Sequence, residues 1–131
     1  MPNTSLRDFN RRMAAIPKAV RAAVKPALDA SADELVTAQR RLAPVDDGTL
    51  RASIKWRETA ELTRTVEAGG PTTTRPVRAG YDFDYAIGVE FGTRKAPRQP
   101  FFWPAYRLTR KRINGRIKRA ISKAVKEHGG R

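Results

Sequence analysis

The chain has 131 residues, 40% of them hydrophobic and none of them cysteine, which suits one domain with a real core and leaves no disulfide or thiolate metal site. No apolar run approaches the roughly 18 residues of a transmembrane helix. The start, MPNTSLRDFNRRM, carries charges and amides where a secretory signal needs an apolar stretch, so a soluble, cytoplasmically made protein is expected, with no membrane partner. The formal net charge of +14 favours polyanions, whether nucleic acid or acidic protein, and says nothing about fold.

In chain order, the first 42 residues read as helical, being rich in Ala, Leu, Arg and Glu. Pro17 and Pro26 each mark either the first turn of a new helix or a kink. The clearest pattern runs from about Pro26 to Leu42, with Leu28, Ala32, Leu35, Gln39 and Leu42 on one face and Arg40 and Arg41 at the negative end of the helix dipole. Residues 1–27 are expected as a helical arm, 28–126 as the core and 127–131 as a disordered tail.

Pro44 ends that helix. Asp46, Asp47 and Gly48 are turn formers, with Gly48 suited to positive φ. Thr49 or Asp47 could then cap a short helical turn in which Leu50 and Ile54 share a face. Trp, Thr and Val next predict strands near 53–58, 63–68 and 75–81. The loop 69–75, Gly-Gly-Pro-Thr-Thr-Thr-Arg, is expected to be the most mobile interior segment. Strict alternation in Tyr85-Ala-Ile-Gly-Val-Glu-Phe91 predicts a fourth strand, with Glu90 on its exposed face, paired with a cation inside the subunit or across an interface. A basic loop, 93–99, leads to Pro100-Phe-Phe-Trp-Pro104.

Pro104 suits the first turn of a last helix over about 105–126. Ile113, Ile117, Ala120, Ile121 and Ala124 form its apolar stripe, and Asn114-Gly115 weakens it locally. Ten basic residues and one acid, Glu127, lie between Arg107 and Arg131. Arg116, Lys118, Arg119 and Lys123 are therefore the candidates for polyanion contact, against the alternatives of a solvated face or an acidic protein partner. The fold class is α+β: N-terminal helices, a central, mainly antiparallel sheet of about four strands, and a basic C-terminal helix.

Catalytic chemistry finds little to work with. His128 is the sole histidine and lies at a Gly-rich end, which argues against a Ser–His–Asp triad or a His-based metal site. Asp46/Asp47 and Asp82/Asp84 read as turn and cap residues before they read as cation ligands. Gly92 stands where a nuclease would want a Lys two residues after Glu90. Gly69-Gly70 lacks the Lys-Ser/Thr of a phosphate loop. No cofactor is expected, and no enzymatic activity.

Phe101, Phe102 and Trp103 are adjacent, so in extended chain they cannot all enter one core. They either bridge sheet and helix within the subunit or serve a subunit interface, and Glu90 joins them as an interface candidate.

Three segments resemble one family. Ala43-Pro-Val-Asp-Asp-Gly-Thr-Leu-Arg-Ala-Ser-Ile54 is similar to its APVDTGxLRxSI signature. Tyr85-Ala86 with Val89-Glu-Phe-Gly-Thr93 is similar to YAxxVEFGT, and Gln99-Pro-Phe-Phe-Trp-Pro-Ala105 to QPFLxPA. The family is the small tail-component, or tail-completion, proteins of long-tailed bacteriophages, which includes lambda-like minor tail protein Z and counterparts in gene transfer particles. Asp47 stands where Thr is common and Trp103 where a smaller residue is usual; the basic tail is not part of the signature. The resemblance implies an α+β subunit in a ring of six copies at the junction of tail and head. Its partners would be itself, the tail tube or tail terminator protein, and the head–tail connector proteins, with DNA contact in the channel an open option.

On this reading the 43–54 segment is a structural corner held by Pro44, Asp46, Gly48, Leu50 and Ile54. The expected function is a structural virion protein of the tail or neck, assembled in the host cytoplasm. The alternative is a basic nucleic-acid-binding protein acting outside a particle.

Overall fold

A computed structural model describes residues 7, 11, 16–45, 48–78 and 80–128. The order is α1 (Lys18–Leu42), α2 (Thr49–Ser53), β1 (Lys55–Ala60), β2 (Thr63–Glu67), a 3₁₀ turn (Pro71–Thr73), β3 (Thr74–Arg78), β4 (Tyr81–Asp84), α3 (Tyr85–Phe91) and α4 (Phe102–His128). The class is α+β. Among the described residues four strands form two separate antiparallel hairpins, β1–β2 and β3–β4, rather than one central sheet. No helix among the described residues is long and apolar enough to cross a membrane.

The long helix α1 starts eight residues before Pro26. Pro17 sits just ahead of its first turn, and Pro26 lies inside it. Residues 18–27 are thus continuous with the helix that carries Val36 and Gln39. The most extensive contact in the molecule joins α1 to α4. The pair runs antiparallel: Val20 and Val24 pack with Ala124, whereas Gln39, near the other end of α1, donates from Nε2 to the Phe102 carbonyl at 3.4 Å. Between these ends, Glu34 accepts from Arg112 and from Arg116, the latter at 2.7 Å, and Arg116 also reaches Ser31 Oγ at 3.2 Å.

The first hairpin lies along a second face of α1, where Arg21, Lys25, Asp29 and Asp33 recur every fourth residue. Glu61 pairs with Arg21 and Lys25, Arg64 with Asp29 at 2.6 Å, and the Trp56 indole donates to Asp33 at 2.6 Å. The main core closes between these elements, with Val36, Ala43, Leu50, Ile54, Ala86 and Phe101 buried together.

Gly48 holds φ +77° and opens α2 with no side-chain cap; Thr49 is the first helical residue rather than the cap. Leu50 and Ile54 fall into the core below it, and Pro44 is half-buried at the end of α1. Asp46 and Asp47 lie outside the described residues.

Three expectations are corrected. The run expected as a strand at 75–81 is β3, a turn at Gly80 and the start of β4. The segment 85–91 is helix. Asp84 accepts from the Ala86 amide at 3.0 Å as its N-cap, and Gly92, at φ +85°, ends it. Its alternating apolar residues therefore fall on different sides: Tyr85 and Val89 pack against the core, near the buried Ala86, Gly88 and Glu90, while Ile87 and Phe91 are exposed.

The loop after Gly69 is also tied down rather than loose. Asp84 accepts from Gly70 N at 2.8 Å and from Thr73 Oγ1 at 2.6 Å, Thr73 is fully buried, and Gly69 N donates to Ser53 Oγ at 2.8 Å.

Two tests follow from these contacts. A Cβ at Gly48 would meet nothing within 4 Å, so its requirement is conformational. Gly48→Val should lower stability by about 1–3 kcal/mol in urea melts, and Gly48→Asn by less, because Asn tolerates the left-handed region. Burial by itself would raise the Asp84 pKa, but the hydrogen bonds from Thr73, Gly70 and Ala86 outweigh it and hold the carboxyl below its ordinary value. A depressed folded pKa gives stability that is full above the unfolded value of about 3.9 and lost as pH falls through the folded one. Melts of Asp84→Asn from pH 6 to pH 2 should therefore show less acid sensitivity than the parent.

Candidate assembly surface

The surface is built where α3 meets the start of α4. An α-helix leaves its first four N–H groups without intrahelical partners. In α4 these belong to Phe101, Phe102, Trp103 and Pro104, and Pro104 has no N–H to satisfy. Glu90 meets the other three. Its Oε1 accepts from Phe101 N and Phe102 N, both at 2.8 Å, and its Oε2 from Trp103 N at 3.1 Å. A carboxylate at this end also meets the positive pole of the helix dipole. The loop returns on α3 through Gln99 N, which donates to the Val89 carbonyl at 2.7 Å.

Glu90 is thus 6% exposed. The exposure and cation partner expected for it are replaced by backbone amides of its own chain. Helical geometry explains this: on α3, position 90 follows Ala86 by one turn on the buried face, whereas a strand would have turned it outward.

The three aromatics part company. Phe101 is 1% exposed and fills the core; Phe102 is half-buried; Trp103 is 47% exposed. Their rings stack edge to face, Phe101–Phe102 at 6.3 Å and Phe102–Trp103 at 5.2 Å, and Tyr106 follows at 6.1 Å. The series leads from the core to the surface, so both readings of the segment describe part of it.

Beside Trp103 lie Ile87 and Phe91, the latter 65% exposed. Together with Phe102 they border a cleft of about 120 Å³. Sequence reasoning missed Ile87 and Phe91 as surface residues; the Asp84 and Gly92 helix boundaries were the signal that could have revealed them. At the far end of the helix pair, Val20, Val24, Leu28, Ile117, Ile121 and Val125 line an apolar groove of about 450 Å³.

The basic residues of α4 divide into two sets. Arg116 is held by Glu34 and Ser31 on the side facing α1. Lys118, Arg119 and Lys123 are exposed and, with Ser122 and Lys126, line a separate shallow groove. Among the described residues no group of three or more His, Asp or Glu is placed to hold a metal.

Residues 7–92 match the family described as "Bacteriophage HK97-gp10, putative tail-component". The chain belongs to this family of phage tail components. The match spans α1 to α3, including Glu90, and stops before the aromatic segment and α4. Among curated proteins nothing matches the chain, and no solved structure matches it either.

Glu90→Ala would strand three amides at the head of α4. It should cost at least about 1–3 kcal/mol, the penalty for unsatisfied buried donors, measured by urea denaturation. Glu90→Gln keeps one acceptor oxygen but turns an NH₂ toward a donor, and should fall between Ala and the parent.

Proposed function

We propose that this tail component is a non-enzymatic structural protein that completes the phage tail and joins it to the head connector as a closed ring of six copies in the neck. The carrying observation is the exposed apolar patch of Ile87, Phe91 and Trp103. Soluble monomers seldom leave large apolar side chains clustered in the open, and such clusters mark interfaces. A ring uses two different surfaces on each subunit, head to tail. The projecting patch at the start of α4 and the apolar groove near its end supply two such surfaces of opposite shape. They lie about 27 Å apart along the helix, from position 103 to 121 at 1.5 Å per residue. The ring's neighbours would be the tail tube or tail terminator on one side and the connector on the other, and assembly would take place in the host cytoplasm.

The experiment separates folding from assembly. Trp103→Ala should leave the subunit folded, with an unchanged far-UV spectrum. It should remove the protein from purified particles, since an aromatic hot spot is worth about 2–4 kcal/mol. Particles that retain the variant at the parental level would refute this assignment of the interface.

A further inference from the structure

The second groove on α4, of about 390 Å³, is lined by Lys118, Arg119, Ser122, Lys123 and Lys126. We propose that it is a binding site for the phosphate backbone of duplex DNA.

These four cations differ from those that acids of the same chain hold. Arg21 and Lys25 face Glu61, Arg57 faces Glu67, Arg64 faces Asp29, and Arg116 faces Glu34. The side chains of Lys118, Arg119, Lys123 and Lys126 have no ion pair or hydrogen bond among the described residues, and all four are exposed. Four unneutralised charges within nine residues of one helix repel one another, and a polyanion relieves that repulsion.

Helical spacing extends the face. At 100° per residue, Arg107, Lys111, Lys118, Ser122 and Lys126 lie on the side of α4 opposite Ala105, Thr109 and Ala124, its buried residues. They span about 28 Å from 107 to 126, a distance that covers several phosphates of a DNA strand at 3.4 Å per nucleotide. Ser122 adds a hydroxyl of the kind that hydrogen-bonds phosphate oxygens.

Nucleic acid fits better than an acidic protein. Protein interfaces draw their energy from apolar or aromatic anchors in pockets, and the lining of this groove contains none. A membrane surface would need the apolar face of the helix, and α1 occupies much of it. The site lies beyond residues 7–92, so nothing in the family match assigns it. It also does not depend on the ring, since it is complete within one subunit.

The test uses the purified full chain and a fluorescent 30-base-pair duplex, with affinity followed by anisotropy across a salt series. One variant carries K118Q, R119Q, K123Q and K126Q. A charge-matched control carries R41Q, R94Q, K95Q and R98Q, all exposed positions off α4. Thermal melts confirm that both are folded. Each phosphate contact contributes about 0.9 to the slope of log affinity against log salt. The α4 variant should therefore lose up to about 3–4 from that slope, and the control should lose much less. Equal losses in the two variants would assign binding to net charge alone and overturn the proposal. No loss in the α4 variant would overturn it too. So would polyglutamate or phosphatidylserine vesicles that bind the parent more tightly than DNA and lose that binding in the α4 variant.

Discussion

The fold turns on one carboxylate. Glu90 sits on a helix of only seven residues, yet it terminates the longest helix in the molecule by accepting its three free amides. Because the contact is bidentate and buried, it fixes the direction of α4 as well as its starting point. Phe101 is thereby placed in the core and Trp103 at the surface, within three residues. From that anchor α4 runs back along α1, and the Glu34 pairs with Arg112 and Arg116 set their register. Asp84 plays the matching part at the other end of α3, joining Gly70, Thr73 and Ala86. Two acids therefore hold the segment between the second hairpin and the last helix.

Acids elsewhere are spent in similar ways. Asp29, Asp33, Glu34, Glu61 and Glu67 all face donors of neighbouring elements, so the negative charge is drawn into the seams between α1, the first hairpin and α4. The exposed surface is left with more cations than acids, although Asp33, Glu58, Glu61, Asp82 and Glu127 are exposed too. The uneven charge of the surface follows from this partition as much as from composition, and a large share of its basic excess lies on α4. The family match covers residues 7–92, which build the frame, and leaves out α4 with its run of exposed cations.

Much of this was legible in the sequence. The positive φ of Gly48, the helix ending at Leu42, the first hairpin and the basic last helix follow from local preference and period. The segment 85–91 was not legible by period alone. Apolar residues at 85, 87, 89 and 91 satisfy a strand template, and seven residues are too few for a helical period to contradict it. The decision rested with the boundaries, an N-capping Asp84 and a C-terminal Gly92, which are weaker signals than alternation. Once that segment was read as strand, Glu90 turned outward and its role disappeared, because its partners lie eleven to thirteen residues away across an irregular loop. The second hairpin was missed for a related reason: a turn at Gly80 divides what reads as one β-rich run. The aromatic segment left two readings open, and the structure divides its residues between them.

The two buried clusters differ greatly in substance. Where α1 meets α2, α3 and the hairpins, six core residues are ringed by six more apolar side chains. At the other end of the helix pair, among the described residues, only Val20, Val24 and Ala124 form the buried cluster, beside a groove that leaves Ile121 and Val125 partly open. Cooperative units with few enclosed contacts open at a small fraction of the global free energy. Amide exchange should therefore be graded along the helices, fast near Val20 and Ala124 and slow near Val36 and Phe101. Anything that seats in the groove would act as a clasp, extending cooperativity over the full length of the pair and binding the outer half of α4 into the same unfolding unit as its anchored start.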